Sequence, residues 1–319
     1  MTLATSPRPA LVLPDGIHRD VPFDDYQTID AVSNSGAIAH MRRSPLYYRA
    51  MRGVEVAGTK DMRTGNAVND LVLQPDKFDS RLVVVGRCAA TLAKGGVCSK
   101  NGSVVIDGRS LCGTHYDAER DGETDPRIVV NEEQLRRAKN MADAVLSDEN
   151  AAPLLARCAL REVTLLWTDE RTGLRCKGRV DAMQDGTANP FQLPAMLDLK
   201  KSRKARPADF PGEIMRRNYH GQLAWYDTGH HVLTGLHVEP WIVAVNDQTG
   251  DDVHEVGTYQ IIADAIEAGR EANRKTLALI KKCRDEDRYP GFGSMPMSIP
   301  AWAIANDEDD ADDAVEGGE

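Results

Sequence analysis

The sequence predicts an α/β protein of the α+β type: a mixed central sheet flanked by helices, with one small cysteine-rich insertion. Three observations lead there. The runs REVTLLWTD, LRCKGRVDAMQ and AMLDLKKS follow one another and read as strands, with EPWIVAVND after a helical stretch. Helix-patterned segments stand before, between and after them. Residues 86–126 fit neither period and are rich in Gly, Cys, Ser and Asp.

Taken in order, residues 1–25 are Pro-rich and polar, and are expected to form an irregular N-terminal arm. In VSNSGAIAHMRRSPLYYRAMR, Ser33 or Ser35 can cap a helix, and Ser44-Pro45 marks a break before a second short one. MRTGNAVNDLVLQPDKF puts Val68, Leu71 and Val72 on one helical face and stops at Pro75. After Asn131, the residues Leu135, Ala138, Met141, Ala142 and Val145 recur at three and four, which predicts a helical segment reaching toward Cys158. Val163, Leu165 and Trp167 alternate, as in a strand buried on one face. Pro211 predicts a helix that begins at or after it and runs through YHGQLAWYDTGHHVL. HEVGTYQ is a candidate fifth strand, and residues 261–287 read as a long helix. The main domain is therefore placed at 26–306, interrupted by 86–126, with 307–319 as a disordered acidic tail.

A hydrophobic content of 41% and a charged content of 28% are those of a soluble globular chain, and 319 residues can bury one large core. No apolar run reaches membrane-spanning length. The start, MTLATSPRPALVLPDG, lacks a long apolar stretch behind a basic one, so no signal peptide is expected. The expected setting is the bacterial cytoplasm, away from membranes, where the six cysteines stay reduced. The net charge of −10 argues against a nucleic-acid partner until the tail is set aside: residues 307–319 hold eight acids and no base, leaving about −2 for the rest. Bases then cluster at Lys200, Lys201, Arg203, Lys204 and Arg206, and again at Arg216 and Arg217. Such a stripe can meet phosphates, although on charge alone it reads as a solvated loop.

The chemistry concentrates in GRVDAM and LDLKKS. Residues two apart on a strand face one side, so Asp198 and Lys200 project together, and Asp181 can meet them from the neighbouring strand. Two carboxylates and a backbone carbonyl, here that of Leu199, suit Mg²⁺ or Mn²⁺, and Lys200 can orient a water or offset developing charge. A D-x-K spacing alone is most often surface charge. Tyr219, Gln222 and Tyr226 share one helical face and can hold a phosphate or orient a ligand; two half-buried tyrosines explain the pattern equally well.

Together these residues resemble the PD-(D/E)XK nuclease superfamily, and within it the phage RecE-type exonucleases similar to exodeoxyribonuclease VIII. GRVDAM is similar to the family's G-R-x-D strand, LDLKKS to its D-x-K strand, and YHGQLAWY to its YHxQxxxY helix. SNSGAIAHMRRSPLYYRA, TGNAVNDLVLQPDKF and the closing IPAW resemble three further family segments, in the same order. The resemblance implies a restriction-endonuclease-like core with Asp181, Asp198, Lys200, Gln222 and Tyr226 catalytic. Asp181, Asp198, Leu199, Asn69 and Glu162 would surround Mg²⁺. Asn69 stands where the family has a histidine, a departure that would weaken the metal site. Tyr219, Lys201, Arg203, Lys204, Arg216 and Arg217 would contact DNA. The implied activity is Mg²⁺-dependent, ATP-independent 5′→3′ digestion of linear double-stranded DNA. It leaves 3′ single-stranded ends, in a ring-like tetramer working with a RecT-type annealing protein. A DNA-binding or scaffolding protein on a degenerate nuclease fold, and a single-strand or nicking nuclease, are the alternatives.

In the insertion, Cys88, Cys98, Cys112 and His115 are spaced C-x9-C-x13-C-x2-H. Three thiolates and an imidazole make a closed, structural Zn²⁺ site, and a metal can replace the core that so short a segment lacks. An unliganded loop is the plain alternative; an iron–sulfur cluster, which some related nucleases carry, would draw its cysteines from both ends of the domain.

Overall fold

The structure, a computed structural model, describes residues 9–54, 59–118, 125, 127–186, 192–248 and 253–299. The predicted acidic tail, the Pro-Ala-Trp of the closing IPAW and residues 1–8 lie outside the described residues. No helix among the described residues is long and apolar enough to cross a membrane.

The N-terminal segment is more ordered than its composition suggests. Strand β1 (Gly16–His18) pairs antiparallel with residues 164–166, and α1 (Phe23–Thr28) follows. The reason is a set of apolar side chains: Leu11, Leu13, Val21, Tyr26 and Ile29 pack with the fully buried Leu166. Strand β2 (Val32–Ser33) leads through one π-helical turn (Asn34–Ile38) into α2 (Ala39–Arg43) and α3 (Pro45–Met51). Both turns are capped by serine: Ser33 accepts from the Gly36 N–H, and Ser44 from the Tyr47 N–H, with Pro45 in the first turn of α3.

Helix α4 (Lys60–Leu73) ends ahead of Pro75, and α5 (Phe78–Arg81) leads into β3 (Leu82–Val85). The insertion carries a hairpin, β4 (Val104–Ile106) and β5 (Arg109–Leu111), then α6 (Gly113–Ala118). Strand β6 (Ile128–Asn131) runs parallel to β3, closing the insertion at its base. Asn131 then opens α7 (Glu132–Ser147) with a reciprocal cap from Gln134. The helical segment predicted to continue toward Cys158 is two helices: Asp148 accepts the N–H groups of Asn150 and Ala151, turning the chain into α8 (Ala151–Arg157).

The main sheet contains β7 (Leu160–Thr168), β8 (Arg175–Met183), β9 (Ala195–Ser202), β10 (Glu239–Asn246) and β11 (Val256–Gln260), in the order β1-β7-β8-β9-β10-β11. Strands β9 and β10 run parallel; the other pairs along this path are antiparallel. Contrary to the half-buried pattern, Thr164 and Leu166 of β7 are also fully buried, because α1 and the N-terminal segment cover the face that alternation left open. Strand β8 meets β9 in only two register pairs, Ala182↔Leu197 and Met183↔Met196. Further along, its edge is taken by β2 at Cys176 and Lys177. Between these pairings the sheet is forked, over residues 178–181.

Helix α9 (Phe210–Arg217) starts one residue before Pro211, which sits in the first turn, where its missing N–H costs nothing. Asn218 adopts a left-handed φ of 60° and separates α9 from α10 (Tyr219–Thr234). A final helix, α11 (Ala263–Asp285), crosses α10 closely: a Cβ on Gly269 would lie 2.7 Å from the His220 carbonyl oxygen and 2.9 Å from Ala224 Cβ. Gly269→Ala is therefore expected to destabilise the fold by about 1–3 kcal/mol, the usual cost of overpacking. The check is a lower urea midpoint with an unchanged denaturant slope.

Candidate active site

The fork between β8 and β9 assembles the site. Past the Ala182↔Leu197 pair, the Leu199 N–H donates to the Asp181 carboxylate (Oδ2, 2.8 Å) instead of to a strand carbonyl. The site's first acid thus stands where a ladder bond would be. Asp198 is fully buried; its Oδ2 lies 2.5 Å from Lys200 Nζ and its Oδ1 has no hydrogen-bond partner.

Helix α10 closes the fork from one side. Trp225 Nε1 donates to the Lys177 carbonyl (2.9 Å), and the Tyr226 ring covers Gly178, where a Cβ would come within 2.9 Å of it. This explains the glycine of GRVDAM: it leaves room for an aromatic ring. Gln222 Nε2 donates to Tyr226 Oη (2.8 Å), and Lys200 Nζ sits 5.2 Å from the Tyr219 ring centroid. The sheet and α10 thus bring Asp181, Asp198, Lys200, Tyr219, Gln222 and Tyr226 to one place. Asp181, Tyr219 and Gln222 are only half-buried, so the site has a mouth.

The electrostatics follow from this crowding. Desolvation and the neighbouring Asp198 raise the pKa of Asp181 well above the carboxylate range, with Lys200 pulling the other way. Burial alone would lower the pKa of Lys200, but Asp198 and Asp181 outweigh it and the net shift is upward. Burial, then the two carboxylates, raise Tyr226. Two like charges in a desolvated fork are an arrangement that a divalent cation would stabilise, and the unpartnered Asp198 oxygen is a buried acceptor that suits one. The donor set therefore fits a hard cation, with Asp181, Asp198 and the Leu199 carbonyl as the group that would hold it.

Glu162 lies opposite Asp181 on β7, at the one position skipped between Arg161↔Ala182 and Val163↔Val180, with the register unchanged on either side. It has a left-handed φ of 51° and its carboxylate is ion-paired with Arg179. Asn69 is half-buried on α4, next to Asp70. Most of the bases expected on DNA are engaged by acids of the chain. Lys201 is ion-paired with Asp247, which also holds Arg137. Arg216 and Arg217 both bind Glu213; Arg203 lies 3.8 Å from Asp61; Lys204 is exposed.

Asp70 is a residue that sequence reasoning misses, because it stands among the apolar positions of α4. It is buried, held by Arg81 at 3.1 Å, and its Oδ2 has no hydrogen-bond partner. Burial raises its pKa to about 6 against the pull of Arg81, with Glu162 adding to the rise.

The second constellation lies in the insertion. The ligand atoms of Cys88, Cys98, Cys112 and His115 all lie within 4.8 Å of one another, and His115 Nδ1 is 3.3 Å from the sulfurs of both Cys88 and Cys112. A tetrahedral ion with metal–sulfur bonds of about 2.3 Å needs donors roughly 3.5–3.8 Å apart, so the cluster can hold a metal ion. His115 reaches it because it lies one turn after Cys112 on α6. The His115 backbone N–H, together with Cys88, the His115 ring and Cys98, lowers the Cys112 thiol to about 6, favouring the thiolate a metal requires. Cys158, Cys176 and Cys283 are buried elsewhere, as small apolar residues.

A forked sheet with acids on adjacent strands and a lysine two residues after the second defines a PD-(D/E)XK core. The chain belongs to the family described as PDDEXK-like domain of unknown function (DUF3799), whose model matches residues 38–294. Among solved structures it is similar to a crystal structure named "Putative exonuclease" from Eubacterium rectale. The identity is 12%, coverage is 86% of this chain and 92% of that one, and the TM-score is 0.51. A second, SSO0001, overlaps 52% of this chain and 69% of that one at 14% identity, with a TM-score of 0.25, too low to bear on the fold. No curated protein matches the chain significantly by sequence.

The geometry leads to two expectations. Cys112→Ser is expected to lose a tightly bound metal ion that elemental analysis finds in the purified wild type, and to lower the melting temperature. For Asp70, the fold favours the protonated form. Between about pH 4 and 6 the folded chain keeps a proton that the unfolded chain loses, so stability falls as pH rises through that window. Asp70→Asn should therefore stabilise the protein by about 2–3 kcal/mol at pH 7, and by nothing below about pH 4, in urea titrations across pH.

Proposed function

We propose that this protein is a divalent-metal-dependent exodeoxyribonuclease acting on linear double-stranded DNA. The observation that carries the reading is the fork: Asp181 and Asp198 desolvated together, Lys200 on Asp198, and Tyr219, Gln222 and Tyr226 lining the same opening. Mg²⁺ or Mn²⁺, when bound, supplies Lewis-acid stabilisation of the phosphodiester and lowers the pKa of a water. The chain's own residues do the rest. Asp181 and Asp198 would hold the cation. Lys200, kept protonated by the two acids, neutralises charge that builds on the phosphate. The Tyr226 hydroxyl and the Gln222 amide, fixed to each other, orient the phosphate without adding charge. Raised well above its ordinary value, Tyr226 stays neutral and remains a donor.

The motif set supports the finer reading. The protein would digest 5′→3′ without ATP and leave 3′ single-stranded ends for phage recombination in the bacterial cytoplasm. It would act as a homo-oligomer, a ring tetramer, beside a RecT-type annealing partner. The Cys88, Cys98, Cys112 and His115 module would hold Zn²⁺ as a structural ion, since three thiolates and an imidazole match its preference. Asn69, in place of the family's histidine, favours one competing reading: a DNA-binding protein on a nuclease fold that no longer cuts.

The test is digestion of linear duplex DNA, labelled at either 5′ end, with Mg²⁺ and no ATP. Wild type should remove one strand from an end, and Lys200→Ala and Asp198→Ala should each lose at least about 100-fold in rate, as when a charge-stabilising group is removed. Binding without cleavage by the wild type, in Mg²⁺ and in Mn²⁺, decides for the non-cutting alternative.

A further inference from the structure

Several bases around the site are already paired with acids of the chain. Lys201 and Arg137 hold Asp247, Arg179 holds Glu162, Arg216 and Arg217 share Glu213, and Arg270 binds Asp227. The α2–α3 helix pair breaks this pattern. From Ala31 to Val54 the chain has no acid and four arginines: Arg42, Arg43, Arg49 and Arg52. All four are exposed, and none forms an ion pair among the described residues. Two are steadied by aromatic rings instead: Arg43 lies 4.0 Å over Tyr47, and Arg49 lies 5.2 Å from the Tyr289 centroid. A ring face holds a guanidinium in place while leaving its charge uncompensated. Four such charges on two short helices repel one another, and a polyanion is the partner that would relieve the repulsion.

The ridge is also fixed beside the site. Asn34, in the turn that opens into α2, donates to the Gly221 carbonyl (3.3 Å) and to Asn273 Oδ1 (3.1 Å), and Asn273 donates to the same carbonyl (2.7 Å). Gly221 lies between Tyr219 and Gln222. Met41 of α2 and Tyr48 of α3 enter the same core cluster as Tyr226. Thus the arginine ridge and the site-facing turn of α10 share one buried clasp.

We infer that the α2–α3 ridge is a docking surface for duplex DNA, gripping the sugar–phosphate backbone as it approaches the fork. Guanidinium groups suit this task because they form paired hydrogen bonds to phosphate oxygens. The inference rests on the nuclease reading and deepens it.

The test uses the full-length Lys200→Ala protein as reference, so that DNA is bound but not cut, and measures fluorescence anisotropy with a labelled linear duplex over a salt series. Adding Arg42→Ala, Arg43→Ala, Arg49→Ala and Arg52→Ala together is expected to weaken binding at least about tenfold. The slope of log affinity against log salt should fall by roughly 0.9 for each phosphate that is no longer neutralised. The fourfold Arg→Lys variant should keep most of both. Should the alanine variant melt early, Arg42→Ala alone should lower the slope by about one. A folded alanine variant with unchanged affinity and slope would overturn the ridge and leave the nuclease reading intact. Loss of binding to phosphatidylserine vesicles alone, with DNA binding unchanged, would also overturn it and assign the ridge to a lipid surface. Failure of the reference to bind DNA, together with no cleavage by the wild type, would sink the nuclease reading and the ridge with it.

Discussion

The site depends on the point where β8 stops pairing with β9. A continuous antiparallel ladder would satisfy the Leu199 N–H with a strand carbonyl and leave no space between the acids. The ladder instead lasts two register pairs, β2 takes over the β8 edge further along, and the carboxylate of Asp181 receives the Leu199 N–H. A backbone donor left without a strand partner and a half-buried acid satisfy each other, and this places Asp181 beside Asp198. The same gap admits Tyr226 over Gly178 and lets Trp225 bond the Lys177 carbonyl, so α10 is anchored to the opening it serves.

A fork of this kind needs support on both faces. On one, the core cluster around Trp167, Trp225 and Tyr226 packs α10 and α11 against β7 and β8. On the other, α4 and α7 cover Leu197, Leu199, Val243 and Val245. Lys177 shows how local charge is made compatible with this burial. Its ammonium donates to the carbonyls of Tyr26, Gln27 and Ile29 at the end of α1, and burial lowers its pKa to about 8. It ties the N-terminal segment to the strand that carries Asp181.

Charge is distributed on the same principle. The net acidity of the chain is concentrated in the tail, and several bases around the site are paired with acids. Arg137 and Lys201 converge on Asp247, which fixes the far end of β9 to α7 and leaves those two bases little freedom to meet a ligand. Pairing, more than the count of bases in a stretch, decides which charges are available for recognition.

Much of this was legible in the sequence. The five strands β7–β11 fell close to the strand-like runs, while β1–β6 did not show in the sequence; of Ser33 and Ser35 it is Ser33 that caps, the break at Ser44-Pro45 is a helix start, and the order of Asp181, Asp198, Lys200, Gln222 and Tyr226 pointed to one site. These are local signals, set by side-chain period and capping chemistry. Tertiary contacts decided the rest. The covering of β7 by Leu11, Leu13 and Tyr26 buried both faces of its middle, residues 163–167. The pairing of Lys201 with Asp247 joins residues 46 positions apart, and that of Arg179 with Glu162 joins neighbouring strands. The burial of Asp70 in an apolar helix face, and the fork itself, arise from how strands and helices meet. A sequence specifies which residues prefer a strand or a helix; where a ladder ends is set by what competes for its edge, and only the assembled sheet shows that competition.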